Sequence, residues 1–104
     1  MNKLLFDRVV TWQQKTFKFA TPLSKLEHLK EEIKEVEDAF ADPDRSPDSI
    51  VSEYADCFLL LYGSAAAYGM NFDDINLSIS RKMDINEKRV WGEPDKNGVV
   101  RHIK

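Results

Sequence analysis

Two acidic motifs, Glu-Glu-Ile-Lys-Glu at residues 31–35 and Glu-Tyr-Ala-Asp at residues 53–56, flank a short polar break in the sequence. The second motif leads directly into the apolar run Cys-Phe-Leu-Leu-Leu-Tyr at residues 57–62. Placing ionised carboxylates beside a hydrophobic core is costly unless a positive charge compensates them. The two motifs therefore suggest a bound cation, and a metal ion would supply the charge.

The composition is typical of a small globular protein made of helices. The 104 residues are 42% hydrophobic and 32% charged, and they include only four glycines and four prolines. This length suffices for one hydrophobic core, which a second copy of the chain would help to stabilise. The long apolar stretches have helical spacing. We therefore predict an all-α fold, a four-helix bundle with a short irregular C-terminal tail, in a single domain over residues 1–104.

Charge, cysteine content and hydropathy exclude several classes of protein. A net charge of −3 argues against a nucleic-acid-binding surface, which is usually basic. The single cysteine, Cys57, rules out an internal disulfide framework and a cysteine-based zinc site. The longest apolar run is too short to cross a bilayer, and the first residues show amphipathic spacing rather than a secretory signal. We predict a cytoplasmic protein that binds neither membranes nor, stably, nucleic acids.

Apolar spacing and helix-end signals predict four helices, over residues 2–17, 22–40, 47–68 and 72–90. Thr21 and Ser46 are suited to cap the second and third helices, and each is followed by a proline at the first helical position. Gly69 is suited to end the third helix. The third helix is apolar almost all round, which predicts a central position or a subunit interface.

Each of the two middle helices carries an apolar stripe beside its acids. The stripe of the second helix consists of Leu26, Leu29, Ile33, Val36 and Phe40. The stripe of the third consists of Ile50, Tyr54, Phe58, Leu61 and Ala65. On a helical wheel the two acidic pairs lie at equivalent positions, displaced in the same rotational sense from their stripes.

This equivalence predicts that the acids meet. Because a short turn makes the two helices antiparallel neighbours, side chains displaced in the same sense emerge on the same side of the pair. Along the chain, Glu35 and Glu53 are equally far from the turn near Asp44, and so are Glu32 and Asp56. Glu35 should therefore face Glu53, and Glu32 should face Asp56. Four such carboxylates repel each other unless cations lie among them. Ligands that are all oxygen atoms suit Mg²⁺ or Mn²⁺.

The alternative is that these acids only solvate two helix surfaces, which is the ordinary role of exposed carboxylates. The acids of the two helices have the same angular displacement and the same distance from the turn, and this agreement favours the metal site over that alternative. Glu31 lies nearly opposite the apolar stripe, so geometry alone makes it a solvent-facing residue. His28 lies one turn before Glu32 and is typical of a polar residue at the edge of a helix face.

A basic face on the fourth helix could receive a phosphorylated substrate. Lys82, Asn86 and Arg89 lie at i, i+4 and i+7, and Asn86 falls where the apolar rhythm calls for a hydrophobic residue. The structural alternative is that basic residues late in a helix complement its dipole. Three aromatic residues near helix ends could form a flat wall for a nucleobase or simply belong to the core, namely Trp12, Phe17 and Trp91.

With these motifs in view, the chain resembles the MazG-like all-α nucleoside triphosphate pyrophosphohydrolases. That family has Glu-Glu-x-x-Glu followed by Glu-x-x-Asp, as at residues 31–35 and 53–56 here. Residues 12–17, residues 82–94 and the closing Gly-Val-Val-Arg-His at 98–102 resemble the small, often phage-encoded dATP/dGTP pyrophosphohydrolases of that family. The resemblance covers nearly the whole chain.

The resemblance implies hydrolysis of a (deoxy)nucleoside triphosphate between the α and β phosphates, giving the monophosphate and pyrophosphate. It implies that Mg²⁺ or Mn²⁺ is held by Glu32, Glu35, Glu53 and Asp56. It further implies that phosphates are bound by Lys82, Asn86 and Arg89. Glu31 is implied to orient or deprotonate the attacking water, so that it joins the four metal ligands as a catalytic residue. The family also assembles as homodimers or as dimers of dimers, with sites near the subunit interfaces.

Other functions were weighed against this one. The main alternative is a non-catalytic helical module that binds another protein through its apolar third helix. A di-iron carboxylate bundle would need Glu-x-x-His pairs, which the sequence lacks. A P-loop NTPase is excluded because no Gly-x-x-x-x-Gly-Lys motif is present.

Overall fold

The computed structural model describes all 104 residues and contains four helices and no β-strand. The helices are α1 (Lys3–Thr16), α2 (Pro22–Ala41), α3 (Pro47–Tyr68) and α4 (Phe72–Lys88). The C-terminal tail is irregular apart from one isolated antiparallel bridge between Trp91 and His102. The predicted all-α fold is thus confirmed, and every helix begins and ends within two residues of its predicted bounds.

The helix ends follow from local hydrogen bonding. Thr21 caps α2, and its hydroxyl accepts from the Ser24 amide while the Ser24 hydroxyl accepts from the Thr21 amide. Ser46 caps α3 by accepting from the Ser49 amide. Gly69 ends α3 with a φ of 114°, a left-handed conformation that glycine adopts without a Cβ penalty. These caps satisfy amide and carbonyl groups that helix ends leave without intrahelical partners.

The chain divides into two compact units, Met1–Phe72 and Asp73–Lys104. In the first unit, α2 and α3 form a hairpin and α1 packs against α3. Phe6 is 4% exposed and packs against the rings of Tyr62 and Phe72, with centroid distances of 6.2 Å and 5.7 Å. The assignment of all 104 residues to a single domain stays a prediction.

The second unit contains the rest of α4 and the tail. The Trp91–His102 bridge is supported by backbone hydrogen bonds from Gly92 N to Arg101 O and from Ile103 N to Val90 O. Asp95 accepts from the Arg101 guanidinium at 2.8 Å and from two backbone amides of its own turn. These bonds lower the pKa of Asp95, with the Arg101 bond contributing most. No helix in the structure combines the length and the hydropathy that a membrane span requires.

The buried faces of α2 and α3 coincide only in part with their apolar stripes. On α2 the buried residues are Lys25, Val36 and Ala39, while Ile33 and Phe40 of the stripe are 45% and 63% exposed. On α3 the buried residues are Leu60, Gly63 and Ser64, while Tyr54, Phe58 and Leu61 of the stripe are exposed. Each helix therefore packs against its neighbours with the face that lies next to its most hydrophobic face. This rotation brings Glu32 and Glu53 into partly buried positions.

Candidate metal centre

Three of the predicted metal ligands converge between α2 and α3. Glu32, Glu53 and Asp56 each place a carboxylate oxygen within 4.8 Å of those of the other two. Glu32 and Glu53 are half-buried, and Asp56 is exposed. Glu53 and Asp56 lie one turn apart on α3, and the hairpin connection places Glu32 opposite them. The structure thus joins the two sequence motifs in one cluster.

The donor set fits a hard divalent cation. Carboxylate oxygens are the ligands that Mg²⁺ and Mn²⁺ prefer, and the group contains no thiolate or imidazole that would select a softer metal. Three acids that share so small a volume repel one another, and a cation among them removes that repulsion. The half-exposed setting leaves room for a substrate to reach the same ion.

A guanidinium already compensates part of this negative charge. Arg45, in the connection between α2 and α3, donates from Nη2 to Glu53 Oε1 at 2.9 Å. Its Nε donates to the Ser49 hydroxyl, which fixes the guanidinium plane along the first turns of α3. Both partners of the ion pair are largely covered, with side-chain exposures of 31% and 21%. Arg45 therefore holds one oxygen of a predicted metal ligand in place.

Removing this guanidinium is expected to destabilise the metal-free protein and to matter less once metal is bound. Arg45→Met should lower the free energy of unfolding by about 1 kcal/mol in EDTA, since it breaks a partly buried pair and leaves three acids uncompensated. Mn²⁺ supplies the missing positive charge. Saturating Mn²⁺ should therefore reduce the difference in the free energy of unfolding between this variant and the wild type. Urea titrations with and without Mn²⁺ measure both values. Arg8→Met, at an exposed site on α1, is the matched control. A difference in unfolding free energy between Arg45→Met and the wild type that Mn²⁺ leaves unchanged would refute this role for Arg45.

The surroundings of the cluster also respond to its charge. His28 Nε2 lies 3.4 Å from Glu32 Oε1, one turn earlier on α2. The thiol of Cys57, next to Asp56, has its pKa raised chiefly by burial and further by the negative charges of Glu32, Asp56 and Glu53. A thiol in this setting stays protonated, so Cys57 is a small packing residue rather than a nucleophile.

The two remaining acids of the first motif lie apart from this cluster. Glu35 is exposed and is not among the carboxylates that meet within 4.8 Å. Together with Glu31 it lines an open groove along α2, which also includes His28. The wheel placed Glu35 opposite Glu53 and Glu32 opposite Asp56. The structure keeps Glu32 with Asp56 and brings it to Glu53 as well, because the buried face of α2 is rotated toward Glu32. Metal ligation by Glu35 and a catalytic role for Glu31 stay predictions.

Two of the predicted base-binding residues stand beside the metal cluster. Trp12 and Phe17 form an edge-to-face pair with ring centroids 5.5 Å apart. With Glu32 and Asp56 they line a cavity of about 190 Å³, which we call the metal-side cavity. Its other lining residues are Gln13, His28, Leu59 and Leu60. An apolar aromatic wall that shares a cavity with two of the clustered acids suits a nucleoside attached to phosphates.

A buried polar network lies behind this wall, and the sequence reasoning missed its members. Gln13 is 4% exposed and donates from Nε2 to the Leu59 carbonyl at 2.8 Å. Lys25 is 7% exposed and donates from Nζ to Gln13 Oε1 at 2.6 Å. Gly63 faces this amide, and a Cβ there would lie 1.9 Å from Gln13 Oε1. One signal was present: Gln13 continues the spacing of Phe6 and Val10.

The predicted phosphate-binding residues lie in the second unit. Asn86 and Arg89 are half-buried, and Arg89 Nη1 approaches Asn86 Oδ1 at 3.4 Å. Trp91 donates from its indole nitrogen to the Asn86 carbonyl at 3.0 Å, while Lys82 is exposed. Asn86, Arg89 and Trp91 are thus neighbours within that unit. Their roles toward phosphate and base stay predictions.

The geometry of the first unit can now be set beside known proteins. A family model for dATP/dGTP pyrophosphohydrolases matches residues 5–104. The chain belongs to that family. Among solved structures it is similar to the cyanophage S-2L MazG-like pyrophosphohydrolase bound to dGDP and three catalytic Mn²⁺ ions per active site. The TM-score is 0.76 at 29% sequence identity, over 96% of this chain and 90% of that one. No curated protein matched the chain.

These matches confirm several predictions made from the sequence. The resemblance to MazG-like enzymes, the all-α pyrophosphohydrolase fold and the identification of a nucleoside triphosphate pyrophosphohydrolase are all confirmed. The non-catalytic interaction module is therefore not the function that the chain supports. The prediction of a divalent metal cofactor is confirmed: the similar cyanophage enzyme binds Mn²⁺, and the cluster of three acids is of a kind that can hold such an ion.

Proposed function

We propose that this chain hydrolyses dATP or dGTP at the α–β phosphate bond, giving the deoxynucleoside monophosphate and pyrophosphate. One observation carries the proposal: Glu32 and Asp56 belong both to the 4.8 Å acidic cluster and to the lining of a cavity walled by Trp12 and Phe17. A substrate whose phosphates meet a cation at the acids would have its nucleoside beside the aromatic rings. The Mn²⁺ and dGDP held by the cyanophage enzyme support the same arrangement.

The roles of the acids follow from their positions. Glu32, Glu53 and Asp56 would hold Mg²⁺ or Mn²⁺, and we assign Glu35 to the same ion set on the family pattern. A bound divalent cation would polarise the α-phosphoryl group and neutralise the pyrophosphate leaving group. Glu31, on the groove that continues from His28 to Glu35, would accept the proton of the attacking water. No covalent enzyme intermediate is required.

Residues of the second unit are assigned to the substrate on the family pattern alone. Lys82, Asn86 and Arg89 would bind the phosphates, since a guanidinium, an ammonium and an amide can together donate to several phosphate oxygens. Trp91 is assigned to the base on the same family pattern. The Asn86–Arg89 and Asn86–Trp91 hydrogen bonds support a common function, because they hold these side chains together. We also propose that the enzyme acts in the cytoplasm, free of membranes and without stable nucleic-acid binding.

The proposed assembly is a homodimer, or a pair of dimers, formed through α3. Phe58, Leu61 and Val51 are 56%, 52% and 66% exposed on this helix. On the neighbouring helix α2, Phe40 is 63% exposed and packs edge-to-face on Tyr54 at 6.2 Å. A second copy would cover this apolar face, which is large for a chain of 12.0 kDa.

A charge on this face is expected to dissociate the assembly. Phe58→Glu should raise the dimer dissociation constant by at least about 30-fold, because it would bury an unpaired carboxylate at the interface. Sedimentation equilibrium gives the constant. Leu4→Glu is the matched control, since Leu4 is 81% exposed on α1. A wild-type protein that sediments as a monomer would rule out the assembly.

The proposed reaction is tested by steady-state kinetics on all common dNTPs and NTPs with Mg²⁺ or Mn²⁺. Pyrophosphate release is expected to be highest for dATP or dGTP and to stop in EDTA. Turnover that persists in EDTA would contradict the metal assignment. A preference for a pyrimidine nucleotide would contradict the substrate assignment.

A further inference from the structure

Lys25 is a buried cation for which the proposed reaction has no use. Its side chain is 7% exposed on α2, yet it forms no ion pair with any carboxylate. Its Nζ donates to Gln13 Oε1 at 2.6 Å and lies 5.1 Å from the centre of the Phe17 ring. Burial lowers the pKa of Lys25. A desolvated ammonium without an acidic partner is unfavourable and calls for further acceptors.

Lys25 lines a cavity of about 260 Å³, which we call the Lys25 cavity. The cavity has no acidic residue in its walls, and Lys18 adds a second positive charge. On the α3 side, Ala66 and Ala67 contribute only methyl groups and so leave the space open, while the Gln13 amide packs against Gly63, which has no side chain. Phe17 provides an aromatic wall. A flat ring with hydrogen-bond acceptors on its edge fits such a space better than a ring whose edge carries hydrogen-bond donors.

The Lys25 cavity adjoins the metal-side cavity. Gln13 and Phe17 line both of them, so the two cavities are neighbours with these two side chains as shared walls. Together they fall within the range of roughly 300–1,000 Å³ that is typical of small-molecule sites. A nucleotide whose phosphates lie at Glu32 and Asp56 would place its sugar in the metal-side cavity and its base beyond Phe17.

The hydrogen-bond inventory shows what the ammonium can still do. An ammonium has three N–H donors and no acceptor. One donor is used by Gln13 and at most one faces the Phe17 ring, which leaves at least one for a ligand. Because Lys25 can only donate, it also fixes the Gln13 amide with its oxygen toward Lys25 and its nitrogen toward Leu59.

We propose that the Lys25 cavity binds the base of the substrate and selects a 6-oxopurine, with Lys25 donating to O6. Guanine presents two acceptors along this edge, whereas adenine replaces O6 with an amino donor that an ammonium repels. The inference rests on the proposed function and narrows it from dATP or dGTP to dGTP. Lys25 is then a specificity residue that contacts the base.

Base analogues test this selection with the wild-type enzyme. Hypoxanthine keeps O6 and N7 but lacks the 2-amino group of guanine, so dITP isolates the edge that Lys25 would contact. The kcat/KM for pyrophosphate release should be similar for dGTP and dITP and at least about tenfold lower for dATP. Equal values for dITP and dATP would overturn the proposal. No pyrophosphate release from any nucleotide would instead overturn the proposed function itself.

Substitution of Lys25 is the second test of the proposed base selection. Lys25→Met should lower kcat/KM for dGTP and dITP at least about tenfold and leave dATP nearly unchanged, so that the preference disappears. Lys15→Met, which removes an exposed lysine of α1, should keep the wild-type preference. An equal loss for all three nucleotides would mean that Lys25 acts on a shared group such as a phosphate, or only on stability, and would overturn the assignment. The analogue comparison holds even if Lys25→Met does not fold.

Discussion

Glu53→Gln is expected to lower metal-dependent pyrophosphate release by about 10³-fold or more while leaving the fold intact. Glutamine has nearly the shape of glutamate but lacks its charge, so the cluster with Glu32 and Asp56 loses one anionic ligand. The amide oxygen can still accept from Arg45, which should preserve the local structure. Turnover is measured with saturating Mg²⁺ or Mn²⁺. The far-ultraviolet circular dichroism spectrum shows whether the fold is kept.

The control for this variant is Glu37→Gln, an exposed acid of the same helix hairpin that lies outside the cluster. It changes the net charge equally and should keep full activity. Titration calorimetry with Mn²⁺ should show weaker binding for Glu53→Gln alone. Wild-type turnover in a folded Glu53→Gln protein would show that the acids of α3 are not metal ligands.

Gly63→Ala is expected to have the largest effect on stability among conservative changes. The new methyl group would lie 1.9 Å from Gln13 Oε1, so the amide must move. Moving it breaks the 2.6 Å bond from Lys25 and the 2.8 Å bond to the Leu59 carbonyl, and both lie in a buried region. Loss of these bonds, with the ammonium left uncompensated, should lower the free energy of unfolding by about 2–4 kcal/mol. Urea denaturation measures the change.

A double-mutant cycle identifies the cause. If the clash with Gln13 is responsible, Gly63→Ala should cost much less in a Gln13→Ala background, because the shorter side chain leaves room for the methyl group. The coupling energy should then exceed about 1 kcal/mol. Additive effects of the two substitutions would show that Gly63 is required for a different reason, such as its own packing within α3.

Helix ends were predictable because their determinants are local. Thr21 and Ser46 are followed by prolines, and a cap needs only a hydroxyl and the first helical amides. Gly69 ends α3 because its φ of 114° suits glycine. The fourth helix was predicted less well at its end: it stops at Lys88 rather than Val90, where the tail begins to pair with itself.

The orientation of α2 and α3 was harder to predict, because sequence periodicity does not distinguish a core from a subunit interface. The stripes through Phe40 and Phe58 are the most apolar faces of the two helices, yet they are exposed in the single chain. The core uses an adjacent face that includes Ala39, Gly63 and Ser64. The wheel paired Glu32 with Asp56, which meet in the structure, but it also paired Glu35 with Glu53, and there the cluster contains Glu32 instead.

The polar network behind Phe17 could not be derived from the sequence. Its partners are separated by 12 and 46 residues, from Lys25 to Gln13 and from Gln13 to Leu59. A lysine and a glutamine in amphipathic helices are normally surface residues. Arg45 escaped notice for the same reason, since it lies in a turn rich in polar residues. Only the packing of α1 against α3 and of α2 against α3 brings such groups together.

The proposed reaction is a cut between the α and β phosphates, with a metal held by Glu32, Glu53 and Asp56. Phosphorus NMR of dGTP incubated with the protein and Mg²⁺ tests it most directly, because it identifies both products. We predict that dGMP and pyrophosphate appear in equal amounts and that neither appears with Glu53→Gln. Appearance of dGDP with orthophosphate, or no change in the dGTP spectrum, would contradict the account.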